Sequence, residues 1–395
     1  MDEPLIRWRV TKPIPTLSAH KLVPLLRAAA AAAPDRRDLK LQLVRALFDS
    51  DRMAELVDCA RPLVADREAD PELLCLLGRA ALSVGEYDLG IVALRAAAEY
   101  GYTAAYTYLS EALLKADRLD AAIAAGLQGI EHRTQNSKCL FVLARALLLS
   151  GQLERLWKLC VDLRERGVWG GYFPAVFAFA AEAVGRTEQA ADLLDPTRWY
   201  SGAQLAVPEG FNAILAAELL THKSMIPLHS TRATRGTGTW INDLEVCGGP
   251  LAQQLLAMIR TAVEGYITDR RRLADEPTMA QRPKCADLQS WATETISDGF
   301  QSAHIHPTGW LSGVYYVTVP TIKPGSDAYA GGIEFGLFPL VERAGTSGVA
   351  RWRVMPRPGL LLLFPSYFAH WTRPTNTAES RISVAFDVVP APEPT

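Results

Sequence analysis

The stretch His304-Ile305-His306-Pro307-Thr308-Gly309-Trp310-Leu311-Ser312-Gly313-Val314-Tyr315-Tyr316-Val317 decides how this chain reads. Side chains of an extended strand alternate between its faces, so His304 and His306 project to the same side and two imidazoles can converge on one point. A third, His370, follows 64 residues after His306, behind an apolar run that ends in Phe364-Pro365-Ser366. Eleven residues further, Arg381-Ile382-Ser383-Val384-Ala385-Phe386 alternates as a strand would, with Arg381, Ser383 and Ala385 on one face. Three imidazoles and a guanidinium directed into one pocket have the layout of a metal site with an anion clamp.

Outward from this stretch the chain is strand-rich. Residues 291–296, 314–319, 333–338, 351–355, 360–364 and 382–388 carry strand patterns punctuated by Gly and Pro. Six or more short strands with inward-facing histidines predict a double-stranded jelly-roll barrel. Tyr315 and Tyr316 point to opposite faces, so one of the two must enter the barrel, and the hydroxyls of Ser312 and Ser383 are candidates for the same pocket.

The combination of His304-x-His306-Pro307, Ser312-Gly313-Val314-Tyr315-Tyr316, Gly331-Gly332-Ile333-Glu334-Phe335, Pro358-Gly359 before an apolar strand, His370 and Arg381-x-Ser383 resembles the iron(II) and 2-oxoglutarate dependent oxygenases, in a bacterial branch, over roughly residues 291–390. The resemblance implies that His304, His306 and His370 hold Fe(II). It implies that Arg381 grips the far carboxylate of the co-substrate 2-oxoglutarate, with Ser383, Ser312, Tyr315 and Tyr316 as further candidates for binding it. Arg suits that part because its planar fork bonds a carboxylate through two parallel hydrogen bonds. The activity implied is hydroxylation by O2, coupled to decarboxylation of 2-oxoglutarate to succinate. One position departs from the commoner pattern, which has Asp or Glu two residues after the first His, where this chain has His306. Either three histidines bind, or two do and a water or another carboxylate completes the set.

Between residues 38 and 195 the sequence repeats. Helix-breaking corners recur at Ser50-Asp51-Arg52, Val84-Gly85-Glu86, Ala116-Asp117-Arg118, Ser150-Gly151-Gln152 and Val184-Gly185-Arg186, with central residues 34, 32, 34 and 34 apart. A 34-residue period of helix, turn and helix resembles the tetratricopeptide repeat. Stacked pairs of this kind form a curved array whose inner face suits a peptide or a protein. The alanine run 28–33 reads as part of a capping helix, and residues 249–273 as an amphipathic helix with Leu251, Leu255, Leu256, Ile259, Val263 and Ile267 on one side.

Composition narrows the function classes. With 41 Lys and Arg against 43 Asp and Glu, no broad nucleic-acid footprint is expected, and Arg270-Arg271-Arg272 beside Asp269, Asp275 and Glu276 reads as a solvated helix end. The Thr/Gly-rich segment 231–240 reads as a loop or edge strand without phosphate-loop spacing. The start of the chain lacks a basic segment followed by an apolar core, and no apolar run reaches the roughly 20 residues of a membrane span, so a cytoplasmic protein without membrane contact is expected. Six cysteines without a Cys-x-x-Cys pattern read as reduced structural thiols. His20, His132, His222 and His229 read as structural.

The sequence therefore predicts a tetratricopeptide-like helical domain over 1–200 and a jelly-roll oxygenase domain over 201–395, acting on a peptide or protein substrate presented by the repeats. Three alternatives stay open: a small-molecule oxygenase with structural or dimerising repeats, an adaptor whose barrel has lost catalysis, and a cupin-like three-histidine protein that does not use 2-oxoglutarate. The oligomeric state stays open too, with a homodimer among the possibilities.

Overall fold

Five times a helix of this chain ends in the same way. The residues in the middle of the corners, Asp51, Gly85, Asp117, Gly151 and Gly185, all take the left-handed conformation, with φ between 57° and 82°. The amide after each reaches back five residues, as from Arg52 to the Leu47 carbonyl at 2.9 Å and from Gln152 to the Leu147 carbonyl at 2.8 Å. This double-bonded terminus needs a residue that tolerates positive φ, which is why Gly and Asp alone occupy the position. The structure, a computed structural model, describes residues 5–9, 19–65, 70–133, 135–223, 225–227, 233–270, 273–322, 327–340 and 350–393. His229, Thr231, Arg232, Arg271 and Arg272 lie outside the described residues, as does the side chain of His20.

One compact unit lies within residues 14–168. Among the described residues it holds nine α-helices, α1 (Ala19–Ala32), α2 (Arg37–Asp49), α3 (Met53–Ala60), α4 (Pro71–Ser83), α5 (Tyr87–Glu99), α6 (Ala105–Lys115), α7 (Leu119–His132), α8 (Ser137–Leu149) and α9 (Leu153–Glu165), with a 3-10 helix at Arg61–Ala65. They form a tetratricopeptide-like solenoid of antiparallel pairs. Close approach within a pair depends on small residues: a Cβ on Gly78 of α4 would collide with the Leu94 side chain of α5. The alanine run lies in α1, whose Val23 joins the core made with α2, α3 and α4.

The second unit contains residues 169–395 together with 1–13. Its helices are α10 (Phe173–Ala183), α11 (Pro196–Trp199), α12 (Phe211–Leu220), α13 (Leu244–Cys247), α14 (Pro250–Asp269) and α15 (Pro277–Ala280). Its strands are β1 (Arg7–Trp8), β2 (Ser201–Gln204), β3 (Ile226–Pro227), β4 (Thr234–Asn242), β5 (Cys285–Gln301), β6 (Leu311–Thr318), β7 (Ile333–Gly336), β8 (Ala350–Val354), β9 (Leu360–Pro365), β10 (Ala369–Thr372) and β11 (Ser380–Pro390). One sheet runs β2-β9-β6-β11-β5-β4-β3, with β1 parallel on β5; the other runs β10-β7-β8. An isolated bridge between His304 and His370 adds a fourth position to the small sheet on the β10 side. The chain passes from β5 to this bridge, to β6, to β7 and β8, to β9, to β10 and back to β11, alternating between sheets. This is the double-stranded β-helix, or jelly roll.

The compact units divide at 168/169, whereas the sequence reading set the change near residue 200. Side-chain packing accounts for the difference. Ala175 of α10 joins a small core with Ile305 and Ala369, and the Tyr367 hydroxyl donates to the Leu193 carbonyl at 3.0 Å. The helix expected after the fifth corner is replaced by two short 3-10 turns, Thr187–Gln189 and Ala191–Leu194. Beyond these turns come a buried Trp199 and then β2, an edge strand on β9. The Thr/Gly-rich segment, expected as a loop or edge strand, contributes β4, which pairs with β5 on one side and with the two-residue β3 on the other.

Helix α14 buries Leu255, Leu256, Ile259, Val263 and Ile267 as the periodicity predicts, with Ala252 and Tyr266 added, while Leu251 is only half-buried. The solvated reading of the arginine cluster is corrected at Arg270. It is 9% exposed, donates to the carbonyls of Arg198 (2.9 Å) and Tyr200 (2.8 Å), and lies over the Tyr266 ring. Among the described residues no helix is long and apolar enough to cross a membrane, and all six cysteines are free thiols.

Candidate metal centre and anion pocket

The backbone brings the histidines together before any side chain acts. His304 and His370 exchange both backbone hydrogen bonds, at 3.1 and 3.0 Å, and the amide of His306 donates to the Ser366 carbonyl at 2.9 Å. The ring centroids then lie 4.2 Å (His304–His370), 5.0 Å (His304–His306) and 5.2 Å (His306–His370) apart.

Each ring is oriented through its Nδ1. That of His304 lies 2.8 Å from the Ser302 carbonyl, that of His370 3.0 Å from the Phe368 carbonyl, and that of His306 2.9 Å from Asp387 Oδ2. A carbonyl or an ionised carboxylate only accepts, so each Nδ1 carries the hydrogen and each Nε2 is left with a lone pair. One donor atom from each of the three rings lies within 4.8 Å of the others. Burial, reinforced by neighbouring His306, pushes His304 down to about 3, and burial beside His304 and His306 holds His370 well below the usual imidazole range. Protons are therefore a poor remedy for the converging lone pairs of His304 and His370. A divalent cation with nitrogen affinity fits this donor set, and imidazoles pinned at Nδ1 by backbone oxygens or a carboxylate are in the state a metal requires.

The other end of the same pocket holds a cation of the protein's own, Arg381. Arg381 is 4% exposed and donates to the Gly331 carbonyl (3.1 Å) and to Thr372 Oγ1 (3.2 Å), both neutral. Among the described residues no carboxylate pairs with it. Burial lowers its pKa, offset in part by Tyr316. A buried guanidinium with no anion is costly, so an anion in the pocket would offset that cost. Across the ladder from Arg381 lies Thr295, whose hydroxyl is buried without a hydrogen-bond partner among the described residues.

Both ends open on one cavity, lined by His304, His306, His370, Arg381, Ser383, Tyr316, Thr293, Thr295, Thr372, Trp291, Ile333 and Phe364 among others. Register explains the lining. Ser383 of β11 stands opposite Tyr316 of β6 and Thr293 of β5, and Ala385 opposite Val314 and Trp291, so these rows share the inner face. Trp291 stacks on His306 (5.7 Å, 16°), and Phe364 meets His370 edge to face at 4.9 Å.

Of the residues named from sequence, the pocket gathers His304, His306, His370, Arg381, Ser383 and Tyr316. Tyr315 is corrected: it lies on the other face of β6, and its hydroxyl donates to Asn212 Oδ1 on α12 at 2.7 Å. Ser312 lines the cavity, but its hydroxyl is engaged by Asp387 Oδ1 at 2.6 Å and Ser366 Oγ at 2.8 Å, which removes it as a free co-substrate donor. His132 stacks on Tyr106 and His222 bonds the Cys247 carbonyl, both consistent with structural parts. Asp387, Thr295 and Thr372 escaped the sequence reading. Asp387 continues the inner face of Arg381, Ser383 and Ala385 by one more step of two, a signal that was present in the alternation.

Residues 289–387 match the family model described as "Putative 2OG-Fe(II) oxygenase", a span running from β5 to Asp387 and including all three histidines and Arg381. This part of the chain is therefore similar to the 2-oxoglutarate and iron(II) oxygenases, as its histidine and arginine pattern implied. The chain as a whole joins that part to tetratricopeptide-like repeats. No curated protein matches it. Among solved structures, it is similar to a Pseudomonas putida prolyl-4-hydroxylase (19% identity, covering 51% of this chain and 99% of that one, TM-score 0.35). It is also similar to MamA (18% identity, 43% and 91%, TM-score 0.34) and to YrrB, described as a TPR protein with an unusual peptide-binding site (13% identity, 44% and 90%, TM-score 0.35).

Proposed function

We propose that the chain hydroxylates a peptide or protein substrate held by its helical repeats, converting 2-oxoglutarate, O2 and a C–H bond into succinate, CO2 and an alcohol. The observation that carries this reading is one pocket holding both three imidazole lone pairs and a buried guanidinium without an anion. His304, His306 and His370 would hold Fe(II), which when bound supplies the activation of O2. Arg381 would take the far carboxylate of 2-oxoglutarate in a bidentate pair; the hydroxyl of Thr295, buried without a partner among the described residues, and that of Ser383 in the same lining support donation to the same anion. Trp291, Ile333 and Phe364 keep water from the cavity and strengthen these charged contacts.

The peptide part rests on the solenoid. The first helices of four successive pairs contribute Phe48, Arg79, Tyr108 and Lys138. Arg79 lies 4.3 Å from the Phe48 ring centre and 4.5 Å from that of Tyr108, and Lys138 lies 4.4 Å from Tyr108. An aromatic and cationic row of this kind suits an extended chain more than a small metabolite. The test is to incubate the full chain with Fe(II), 2-oxoglutarate, isotopic O2 and a peptide library, reading succinate and peptides that gain one labelled oxygen. The double change Arg79→Ala with Tyr108→Ala should abolish peptide labelling while uncoupled succinate formation persists. Equal labelling by both proteins would return the repeats to a structural part, and absence of succinate from the unaltered protein would overturn the oxygenase reading.

A further inference from the structure

The three imidazoles are not equivalent. His304 and His370 rest their Nδ1 atoms on neutral backbone carbonyls, whereas His306 rests its own on a carboxylate, Asp387 Oδ2, at 2.9 Å. His306 is also the residue at the place where the commoner oxygenase pattern has Asp or Glu. Resting on the metal-site reading above, we propose that Asp387 is a positioning residue that supplies the metal, through the His306 ring, with the negative charge a directly bound carboxylate would otherwise provide.

The setting of Asp387 supports this. It is 5% exposed, and among the described residues no Lys or Arg pairs with it; its only ion-pair partner is His306. A carboxylate buried without a cation is costly, and a divalent ion one imidazole away offsets that cost. Its second oxygen accepts from Ser312 Oγ at 2.6 Å, and Ser312 is held in turn by Ser366 Oγ at 2.8 Å, so the carboxylate has a fixed orientation. The space around it is shaped for the group: a Cβ on Gly309 would sit 2.5 Å from Ser366 Oγ and 3.4 Å from the Asp387 Cβ. The topology makes the arrangement possible. Asp387 lies opposite Ser312 in the ladder between β11 and β6, and His306 lies five residues before β6 begins. An imidazole that gives its Nδ1 hydrogen bond to a carboxylate is a stronger donor at Nε2 than one bonded to a carbonyl, and loss of such an outer partner typically costs about 10- to 100-fold in metal affinity.

The substitution Asp387→Asn tests the charge alone, because the amide oxygen can still accept from His306 Nδ1 while the amide nitrogen faces Ser312. The probe is Co(II), titrated anaerobically into the full chain and read by its visible absorption and by chelator competition. The expected result is a loss of affinity of about 10- to 100-fold, with altered ligand-field bands. The metal-free Asp387→Asn protein should melt no lower than metal-free wild type, because a buried carboxylate without a cation has been neutralised.

A second arm places the carboxylate directly. In a His306→Asp background the charge is supplied at the metal itself and Asp387 becomes a second, repelling anion, so adding Asp387→Asn should raise Co(II) affinity there while lowering it in the wild-type background. That reversal of sign is not expected of a purely structural residue. Affinity within twofold of wild type for Asp387→Asn, or a loss in both backgrounds, overturns the proposal while leaving the metal site standing. If Asp387→Asn does not fold, Ser312→Ala decides: it removes the hydroxyl that orients the carboxylate, and unchanged Co(II) affinity and bands in that variant overturn the proposal. Failure of wild type to bind Co(II) overturns the metal-site reading and this proposal with it.

Discussion

Replacing Arg381 by Met separates co-substrate binding from metal binding. The guanidinium is buried and among the described residues bonds only to the Gly331 carbonyl and the Thr372 hydroxyl, with no carboxylate paired to its charge there. Met keeps much of the volume and removes the charge. A lost charge-assisted hydrogen bond costs about 1.5–3 kcal/mol, which is roughly a tenfold to more than a hundredfold rise in Kd for 2-oxoglutarate. The consequence for a thermal-shift assay follows from mass action. At a co-substrate concentration of about 100 Kd the wild-type protein gains about 2.7 kcal/mol, while a variant weakened about a hundredfold gains about 0.4 kcal/mol at the same concentration. The assay is the melting temperature with Mn(II), with and without 2-oxoglutarate, backed by calorimetric titration. Mn(II) binding should be nearly unchanged, because Arg381 donates to no histidine. A variant whose melting responds to 2-oxoglutarate as wild type does would refute the reasoning and move the anion site away from Arg381.

Further outcomes can be checked separately. His370→Ala removes one of three lone pairs and should abolish the visible band formed by anaerobic Fe(II) with 2-oxoglutarate; a retained band would refute the ligand set. Burial raises the pKa of Glu334, but its bonds from Arg353 (2.7 Å) and Trp371 (2.5 Å) outweigh this, and the net direction is down. That stability is present above the ordinary carboxyl value and is lost as pH falls through the depressed one, so Glu334→Gln should flatten the acid side of the stability profile in urea melts between neutral and acid pH. Gly151→Ala forces a side chain to φ 71° and should cost about 1–2 kcal/mol in urea melts of the full chain, an effect that vanishes if the corner can re-form otherwise. A chain truncated to begin at 205 loses the buried Trp199, the β2 edge and the Leu193 partner of Tyr367, and should be far less soluble than one beginning at 169; equal solubility would show that residues 169–204 do not support the jelly roll.

What the sequence determined by itself was periodic or local. The 34- and 32-residue spacing of the corners is legible because a helix can end with a left-handed residue only at Gly, Asp or Asn, so the backbone demand is written in residue identity at Asp51, Gly85, Asp117, Gly151 and Gly185. The alternation of Arg381, Ser383 and Ala385, and the two-residue step from His304 to His306, are legible because a strand has a period of two. Other features depended on which strands become neighbours. Tyr315 and Tyr316 alternate identically on paper, and only packing of one face of β6 against α12 sends Tyr315 to Asn212 and Tyr316 into the pocket. Ser312 looked like a free hydroxyl until the ladder between β6 and β11 set it opposite Asp387. The limit of the second unit at 169 was hidden because Ala175, Ile305 and Ala369 meet only after the chain has folded, and no local pattern marks contacts separated by more than a hundred residues. The states of the three imidazoles were decided last of all, since the acceptors on their Nδ1 atoms are two backbone carbonyls that any residue would carry and one carboxylate delivered from 81 positions away.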